Sequence, residues 1–529
     1  MSHTNKIAVG LLIALLAGCE ANESSKTKDA WNATNDPVKM VATAEGFVTK
    51  YSILPKNGQP GTLPWSDNYW PTYQGGVAYR WNDADSQKLH ALELESTDST
   101  YRGQLDNNPQ LQELRSKVYG YSPYTKEQIL AMPEEQRAAL IQTLSPAEKY
   151  DIYRGDWTFP TVQAERERTN ILQTLRDRSE YDPETKIETW WGICHAWAPA
   201  TILFKEPGAL SVQSKDNIKV DFGASDIKAL ITHMVDYNPE QSNFRTQMGA
   251  RCNSNISPSN LSKLDKEIFG SLEAKNNEKV EASITLLLKE RSIEIPVKIV
   301  FLAYVLNYSD SAEYAQKRFN EIKTDFAGRI SGSVMRADFN AAVEKADKVL
   351  AKVGTTIPSP SERQAGLLDA TRTSACTDTN AGAFHLVLTN VVGIRKESFV
   401  IDMTRDYEVW NQAVAKYDSR EIATYTGSKI SAEAAPGTVK EVQVETILRY
   451  TGEMNPMWEP FGDGSAIDTR YHKPLRYRYR LELDERGHII GGSWVSDSRP
   501  DFIWGASNFK WSSEWTDLKK LYLMARKNR

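Results

Sequence analysis

One cysteine stands at the predicted start of a helix, inside the segment WWGICHAWAPA of residues 190–200. Proline is tolerated in the first turn of a helix, so Pro199 predicts that a helix begins between Cys194 and Ala198. The unpaired N–H groups and the positive end of the helix dipole lower the pKa of a thiol placed there. The segment therefore predicts a reactive cysteine, with a buried structural cysteine as the alternative.

The amino terminus has the pattern of an export signal. A short apolar run follows Lys6 and ends in the letters LAGC at residues 16–19, and it is too short to span a bilayer. Small residues before a cysteine resemble a bacterial lipoprotein signal, so we expect cleavage before Cys19 and lipidation of its thiol. An ordinary signal peptide is the alternative. Because Glu20 follows and not aspartate, we expect a lipid anchor at the outer membrane, on its periplasmic face or at the cell surface.

With Cys19 lipidated, three of the four cysteines remain, at positions 194, 252 and 376. An odd number in an oxidising compartment predicts one disulfide and one free thiol, or an intermolecular bridge. If Cys194 stays free, Cys252 and Cys376 are the disulfide pair. The net charge of −5 argues against a nucleic-acid partner, which would need a basic surface. No zinc spacing or EF-hand loop is present, and calcium binding by scattered carboxylates is left open.

Helical and strand patterns are mixed along the chain, which predicts the α+β class. We divide it into a signal (1–18), a flexible tether (19–45), an N-terminal region (46–155), a catalytic core (156–430) with a helical insertion at about 265–353, and a β-rich C-terminal region (431–529). The pattern predicts short strands and turns over 47–81 and helices over 108–150, 312–330 and 337–353. The spacing of Ser145 and Glu148 predicts a capping box, and the letters DERG at 484–487 predict a tight turn between two strands. By analogy with zymogens, 46–155 is a candidate removable pro-segment, although no cleavage site is legible.

One histidine fits the needs of a thiol nucleophile, which requires a base and a group that orients the base. His385 lies in an apolar run, 383–388, that reads as a strand, and Asp402 ends the next predicted strand at 398–402. A hairpin would bring the two side by side. The order Cys, His, Asp is the one used by papain-like and transglutaminase-like thiol enzymes. A histidine packed in the core is the alternative. His195 is poorly aimed at Cys194, because neighbouring helical residues diverge by about 100°.

Several motifs together resemble the transglutaminase elicitor family, which is known from oomycete cell walls and some marine bacteria. They are the nucleophile segment 192–200, the segment DMTRDYEVWNQAV at 402–414, and shorter matches at 65–71, 251–253, 378–385 and 498–504. Two departures stand out: Ala413 replaces a proline, and Ala196 stands where glycine is expected. The resemblance runs from about residue 60 to 505, and the helical stretch near 265–353 has no clear counterpart.

The resemblance implies a protein-glutamine γ-glutamyltransferase whose substrates are proteins with accessible glutamine and lysine. Carried over by motif, Cys194 would be the nucleophile, His385 the base and Asp402 the group that orients it, with Asp406 as the weaker alternative. The implied core places the nucleophile at a helix N-terminus and the His and Asp on adjacent strands. Two other functions stay open: a papain-like cysteine peptidase or cell-wall amidase, and a non-enzymatic lipoprotein that binds the cell wall.

Overall fold

The structure of the chain, a computed structural model, describes residues 35–94, 108–185, 187–237, 245–250, 277–289, 295–309, 311–328, 333–351, 379–403, 408–462, 464–496, 498–506 and 509–527. Its helices are α1 (Ala84–Leu94), α2 (Pro109–Tyr119), α3 (Lys126–Ala131), α4 (Glu134–Thr143), α5 (Pro146–Arg154), α6 (Pro160–Thr169), α7 (Cys194–Leu203), α8 (Ala224–Asp236), α9 (Asn277–Lys289), α10 (Ile295–Leu306), α11 (Ala312–Gly328), α12 (Ser333–Leu350), α13 (Ala381–Val387) and α14 (Thr516–Lys527). Its strands are β1 (Asn57–Gly58), β2 (Leu210–Gln213), β3 (Lys219–Phe222), β4 (Arg245–Gly249), β5 (Val400–Asp402), β6 (Asn411–Thr426), β7 (Lys440–Thr451), β8 (His472–Leu483), β9 (Ile489–Trp494) and β10 (Phe502–Ala506). The mixed α and β class is confirmed.

A large antiparallel sheet lies at the centre of the fold. Its strands follow the order β4-β10-β5-β6-β7-β8-β9, and β1 pairs with β6. The predicted β-rich character after residue 431 agrees with β7 to β10. The predicted turn between β8 and β9 is also present, since the N–H of Gly487 donates to the carbonyl of Asp484.

The two faces of this sheet carry different layers. On β5, Ile401 packs with Phe384 of α13 and Tyr479 of β8 in one apolar cluster. Its neighbour Val400 points the other way and packs with Trp504 of β10 and with α7. Because side chains alternate along a strand, α7 and α13 lie on opposite faces of the sheet.

The helices before residue 170 pack around α7 and α8 in one extended apolar cluster. The predicted capping box at the start of α5 is confirmed: the backbone N–H of Glu148 donates to the hydroxyl of Ser145 at 3.2 Å, and the N–H of Ser145 donates to the Glu148 carboxylate at 3.0 Å. Of the short strands and turns predicted over 47–81, the turns are present, but the strands are wrong apart from the two residues of β1. This stretch forms short 3₁₀ turns. Pro64 and Pro71 offer no backbone N–H to a strand ladder.

The helices α9 to α12 share an apolar cluster of their own. The predictions of helices at 312–330 and 337–353 are confirmed by α11 and α12, with ends that differ by a few residues. Among the residues that the structure describes, no helix combines the length and hydropathy needed to cross a membrane.

Candidate active site

Cys194 is the first residue of α7, so the predicted start of the helix is confirmed. The N-terminal region holds this start in place, because the backbone N–H of Ile193 donates to the carbonyl of Tyr69 at 2.9 Å. The Tyr69 hydroxyl in turn donates to the carbonyl of Thr189 at 2.7 Å. Gly192 lies directly against Tyr69, and a Cβ atom there would come within 2.7 Å of the Tyr69 carbonyl oxygen. A glycine is therefore required two residues before the cysteine.

Substitution Gly192→Ala is expected to destabilise the protein by about 1–3 kcal/mol, because the added methyl group forces the start of α7 away from Tyr69. Thermal unfolding measures the loss. Gly328→Ala is the matched control, since a Cβ at the end of α11 meets nothing within 4 Å. A Gly192→Ala protein as stable as the control would show that the contact with Tyr69 is easily relaxed.

Pro199 lies inside α7, in its second turn, so its predicted place in the first turn is wrong. A proline there has no N–H for the carbonyl four residues earlier, which belongs to His195. The Arg245 guanidinium of β4 supplies the missing donor, at 2.8 Å from that carbonyl. Arg245 also stacks on Trp504, with its central carbon 4.6 Å from the ring centroid. An arginine on the sheet thus allows the helix to contain the proline.

The sulfur of Cys194 lies against the start of β6. It approaches the carbonyl oxygen of Val409 at 3.6 Å, and the side-chain amide nitrogen of Asn411 donates to it at 3.7 Å. The amide oxygen of Asn411 accepts a hydrogen bond from the Trp504 indole at 2.8 Å. In the described part of the chain, no hydrogen bond joins this sulfur to a histidine ring.

Cys194 is a protonated thiol at neutral pH in this state. Its pKa is raised to about 11, mainly by burial and to a smaller extent by the charges of Glu453 and Asp402. The hydrogen bonds from Asn411 act in the opposite direction. The expectation that the helix N-terminus alone would lower the pKa is therefore wrong here, because burial outweighs it. The site is closed, since only 5% of the residue is exposed.

Asp402 lies close enough to Cys194 for its charge to raise the pKa of the thiol, whereas the sequence predicted it beside His385. It ends β5 and pairs with Asn411 in the ladder between β5 and β6. Its carboxylate accepts a hydrogen bond from the backbone N–H of Trp410 at 3.0 Å. This hydrogen bond fixes the backbone directly after Val409, whose carbonyl approaches the sulfur. The aromatic ring of Trp410 packs edge-on against Tyr69, with ring centroids 5.3 Å apart.

His385 is not on a strand next to Asp402, and that prediction is wrong. It lies in α13, which begins where the side chain of Asn380 accepts hydrogen bonds from the N–H groups of Gly382 and Ala383, at 2.9 and 3.1 Å. Its ring nitrogen Nδ1 hydrogen-bonds the Tyr479 hydroxyl at 2.8 Å. The sheet therefore separates His385 from the sulfur. Burial lowers the pKa of His385 to about 3, so it is a neutral core histidine.

The neighbouring histidine is also engaged elsewhere. Nε2 of His195 pairs with the Asp236 carboxylate at the end of α8, at 2.7 Å. This agrees with the expectation that His195 points away from Cys194. The pairing, together with the charge of Arg168, offsets the effect of burial and leaves the pKa of Asp236 below its usual value.

Sequence reasoning gave no roles to Asn411, Glu453, Trp504 and Arg245. Two of these, Asn411 and Trp504, fall in motifs that carry the family resemblance. Glu453 follows β7 and belongs to none of these motifs. The side-chain amide of Gln412 donates a hydrogen bond to its carboxylate, and its charge raises the pKa of Cys194. Burial raises the pKa of Glu453.

Four predicted residues lie outside the described residues: Cys19, Cys252, Cys376 and Asp406. The lipidation, the disulfide pair and the alternative third member of the triad therefore stay predictions. Cys194, which the structure does describe, is a free thiol. Within the described ranges, no group of three or more His, Cys, Asp or Glu side chains could hold a metal ion.

The model of the transglutaminase elicitor family matches residues 173–275 and 368–515. The chain belongs to this family. The chain is also similar to the crystal structure of the GP42 transglutaminase from Phytophthora sojae, with 18% sequence identity and a TM-score of 0.47, over 91% of this chain and 95% of that one. No curated protein gives a significant match.

The two segments that match the transglutaminase elicitor family contain the residues around the thiol. The first includes Cys194 and Arg245, and the second includes Asp402, Asn411 and Trp504. The helices α9 to α12 fall between the two segments, where sequence comparison found no counterpart. The candidate site is thus built by the parts of the chain that define its family.

Proposed function

We propose that this member of the transglutaminase elicitor family is a protein-glutamine γ-glutamyltransferase with Cys194 as its nucleophile. The observation that carries the proposal is the position of Cys194, whose thiol begins a helix and receives a hydrogen bond from Asn411. Membership of the family supports the transglutaminase class of reaction. His385, the base predicted from the sequence, has no role in this proposal because the sheet lies between it and the sulfur.

The proposed reaction has two steps. The Cys194 thiolate attacks the side-chain carbonyl carbon of a protein glutamine, the carbon–nitrogen bond breaks, and ammonia leaves with an added proton. A lysine amine then attacks the thioester, the carbon–sulfur bond breaks, an amine proton passes to the released sulfur, and an isopeptide bond and the free thiol remain. Backbone N–H groups at the start of α7 are the proposed donors to the oxyanion. The closed site supports transfer, because water would otherwise hydrolyse the thioester.

Glu453 is our proposed acceptor of the thiol proton. Burial raises its pKa, which makes it a better base than an ordinary glutamate, and its charge acts on Cys194. Asp402 is the proposed orienting group for the chain that covers the sulfur, since it holds the backbone of Trp410.

Substitution Glu453→Gln is expected to change two measurements in opposite directions. Loss of the nearby negative charge lowers the thiol pKa, so alkylation of Cys194 by iodoacetamide becomes faster at a fixed pH. Loss of the proton acceptor lowers amine transfer by about 100-fold. The matched control is Glu421→Gln, an exposed carboxylate on β6, which should change neither rate. If transfer rose together with alkylation, Glu453 would be a repulsive charge and not the base.

The function itself is tested with the mature protein, a glutamine-containing protein and a labelled primary amine, with and without calcium. Incorporation of the label that is lost after alkylation of Cys194 is the expected result, and the calcium arm reports whether the ion is required. New N-termini in the protein substrate without label would identify a cysteine peptidase instead. Native protein whose Cys194 resists both substrate and alkylation would favour the non-enzymatic wall-binding role. The lipid anchor at Cys19 and the outer-membrane location stay predictions.

A further inference from the structure

Trp504 fixes the side chain of Asn411 by a hydrogen bond. Trp504 lies on β10, is 4% exposed, and packs with Val400 of β5 and Ala198 of α7. Its indole N–H donates to the amide oxygen of Asn411 at 2.8 Å. An indole nitrogen can only donate, so the atom that faces it must be the amide oxygen and not the NH₂ group.

The orientation of the Asn411 amide decides what the sulfur meets. With its oxygen held by Trp504, the amide presents NH₂ to the Cys194 sulfur, at 3.7 Å. If the amide were turned over, its oxygen would face the sulfur and would oppose the negative charge of a thiolate. The Trp504 ring is itself held on one side by Arg245, which also bonds the carbonyl of His195 in α7. The ring and the helix that carries the thiol are therefore fixed by the same arginine.

We propose that Trp504 is a positioning residue that fixes the Asn411 amide with its N–H group toward Cys194, and that Asn411 is a catalytic donor that stabilises the thiolate. The proposal rests on the proposed role of Cys194 as nucleophile. It assigns the two residues separate roles: Asn411 touches the reacting sulfur, and Trp504 acts through Asn411. The indole N–H, and not the bulk of the ring, is the part of Trp504 that matters.

The test measures the rate at which iodoacetamide alkylates Cys194 as a function of pH, followed on the Cys194 peptide by mass spectrometry. In this reaction the thiolate sulfur displaces iodide, so the rate reports the thiolate without any amine transfer. The variants are Trp504→Phe, which keeps a ring and removes the N–H, Asn411→Ala, and the double variant. Trp494→Phe is the matched control, because the indole of Trp494 donates to the backbone carbonyl of Thr379, away from the site.

Each single substitution is expected to lower the alkylation rate about tenfold below the thiol pKa and to move the pH profile upward, as the loss of a hydrogen bond to a charged group requires. The double variant should be no slower than Asn411→Ala alone, because Trp504 acts through Asn411. Trp494→Phe should match the wild type. An unchanged profile in Trp504→Phe, or effects that multiply in the double variant, would overturn the proposal.

Asn411→Asp tests the same idea if Trp504→Phe does not fold. A carboxylate has the same shape and still accepts from the Trp504 indole, but it presents a second oxygen to the sulfur in place of NH₂. Alkylation slower than in the wild type is expected, and an equal or faster rate would overturn the proposal. Since alkylation requires only a reactive thiol, loss of amine transfer with normal alkylation profiles would count against the proposed function and leave this inference standing.

Discussion

Substitution Cys194→Ala is expected to abolish the incorporation of primary amines into protein-bound glutamine. Cys194 supplies the sulfur of the proposed thioester, and removal of the nucleophile from an acyl-transfer enzyme costs about 10⁴-fold or more in rate. The variant should still fold, because alanine fits the first turn of α7 and leaves only a small cavity. The measurement compares labelled-amine incorporation by wild-type and variant protein at equal concentration, with circular dichroism as the check on folding.

The serine variant provides the matched control for this result. Cys194→Ser keeps the shape of the side chain and a hydrogen-bond donor toward the Val409 carbonyl with a slightly smaller atom, but its hydroxyl is a far weaker nucleophile than a thiol. It should therefore be as inactive as Cys194→Ala and nearly as stable as the wild type. A folded Cys194→Ala protein that still cross-links substrates would rule out Cys194 as the nucleophile.

His385 is expected to make the protein less stable in acid. Burial lowers its pKa in the folded state to about 3, whereas the unfolded chain binds a proton near the ordinary value of 6.5. The stabilising contribution is therefore fully present above pH 6.5 and is lost as the pH falls toward 3, by about 1.4 kcal/mol of unfolding free energy for each pH unit. Asp67 and Asp151 act in the opposite direction, because burial raises the pKa of each to about 7.

The effect of His385 is isolated by comparison with His385→Gln. Both proteins contain the two buried aspartates, so the difference in their unfolding free energy, measured by urea denaturation across the pH range, reports the histidine alone. That difference should shrink in acid at the stated slope. Tyr479→Phe removes the hydrogen bond to Nδ1 but leaves the histidine buried, so it should retain the wild-type slope. His385→Gln should also leave Cys194 alkylation unchanged, and a large loss of alkylation would restore His385 as the base.

Local sequence rules predicted the elements whose signals are local. The capping box at Ser145 and the strands near the C-terminus follow from caps, turns and side-chain periods, whereas α7 begins at Cys194 without a side-chain cap and with Pro199 in its second turn. The prediction of a strand in the apolar run around His385 was wrong, because a buried strand and a short buried helix have the same composition. Asn380, which caps α13, was the local signal that favours the helix.

The surroundings of the sulfur could not be predicted, because they are brought together by sheet pairing over more than two hundred residues of sequence. Asn411 meets Cys194 only because β6 pairs with β5, and Trp504 meets Asn411 only because β10 pairs on the other side of β5. A shift of one residue in either register would turn Asn411 or Trp504 to the opposite face. Predicting this part of the site requires the topology of the sheet.

The support that Tyr69 gives to α7 bears on how the protein could mature. Residues 46–155 were a candidate for removal after export, in the manner of an inhibitory pro-segment. The carbonyl of Tyr69 binds the residue just before Cys194, and the indole of Trp65 donates to the carbonyl of Phe204 at the other end of α7, at 2.8 Å. A protease that removed this region would remove the hydrogen-bond partners at both ends of α7. Such processing would displace the helix that carries Cys194 and would not simply expose its thiol.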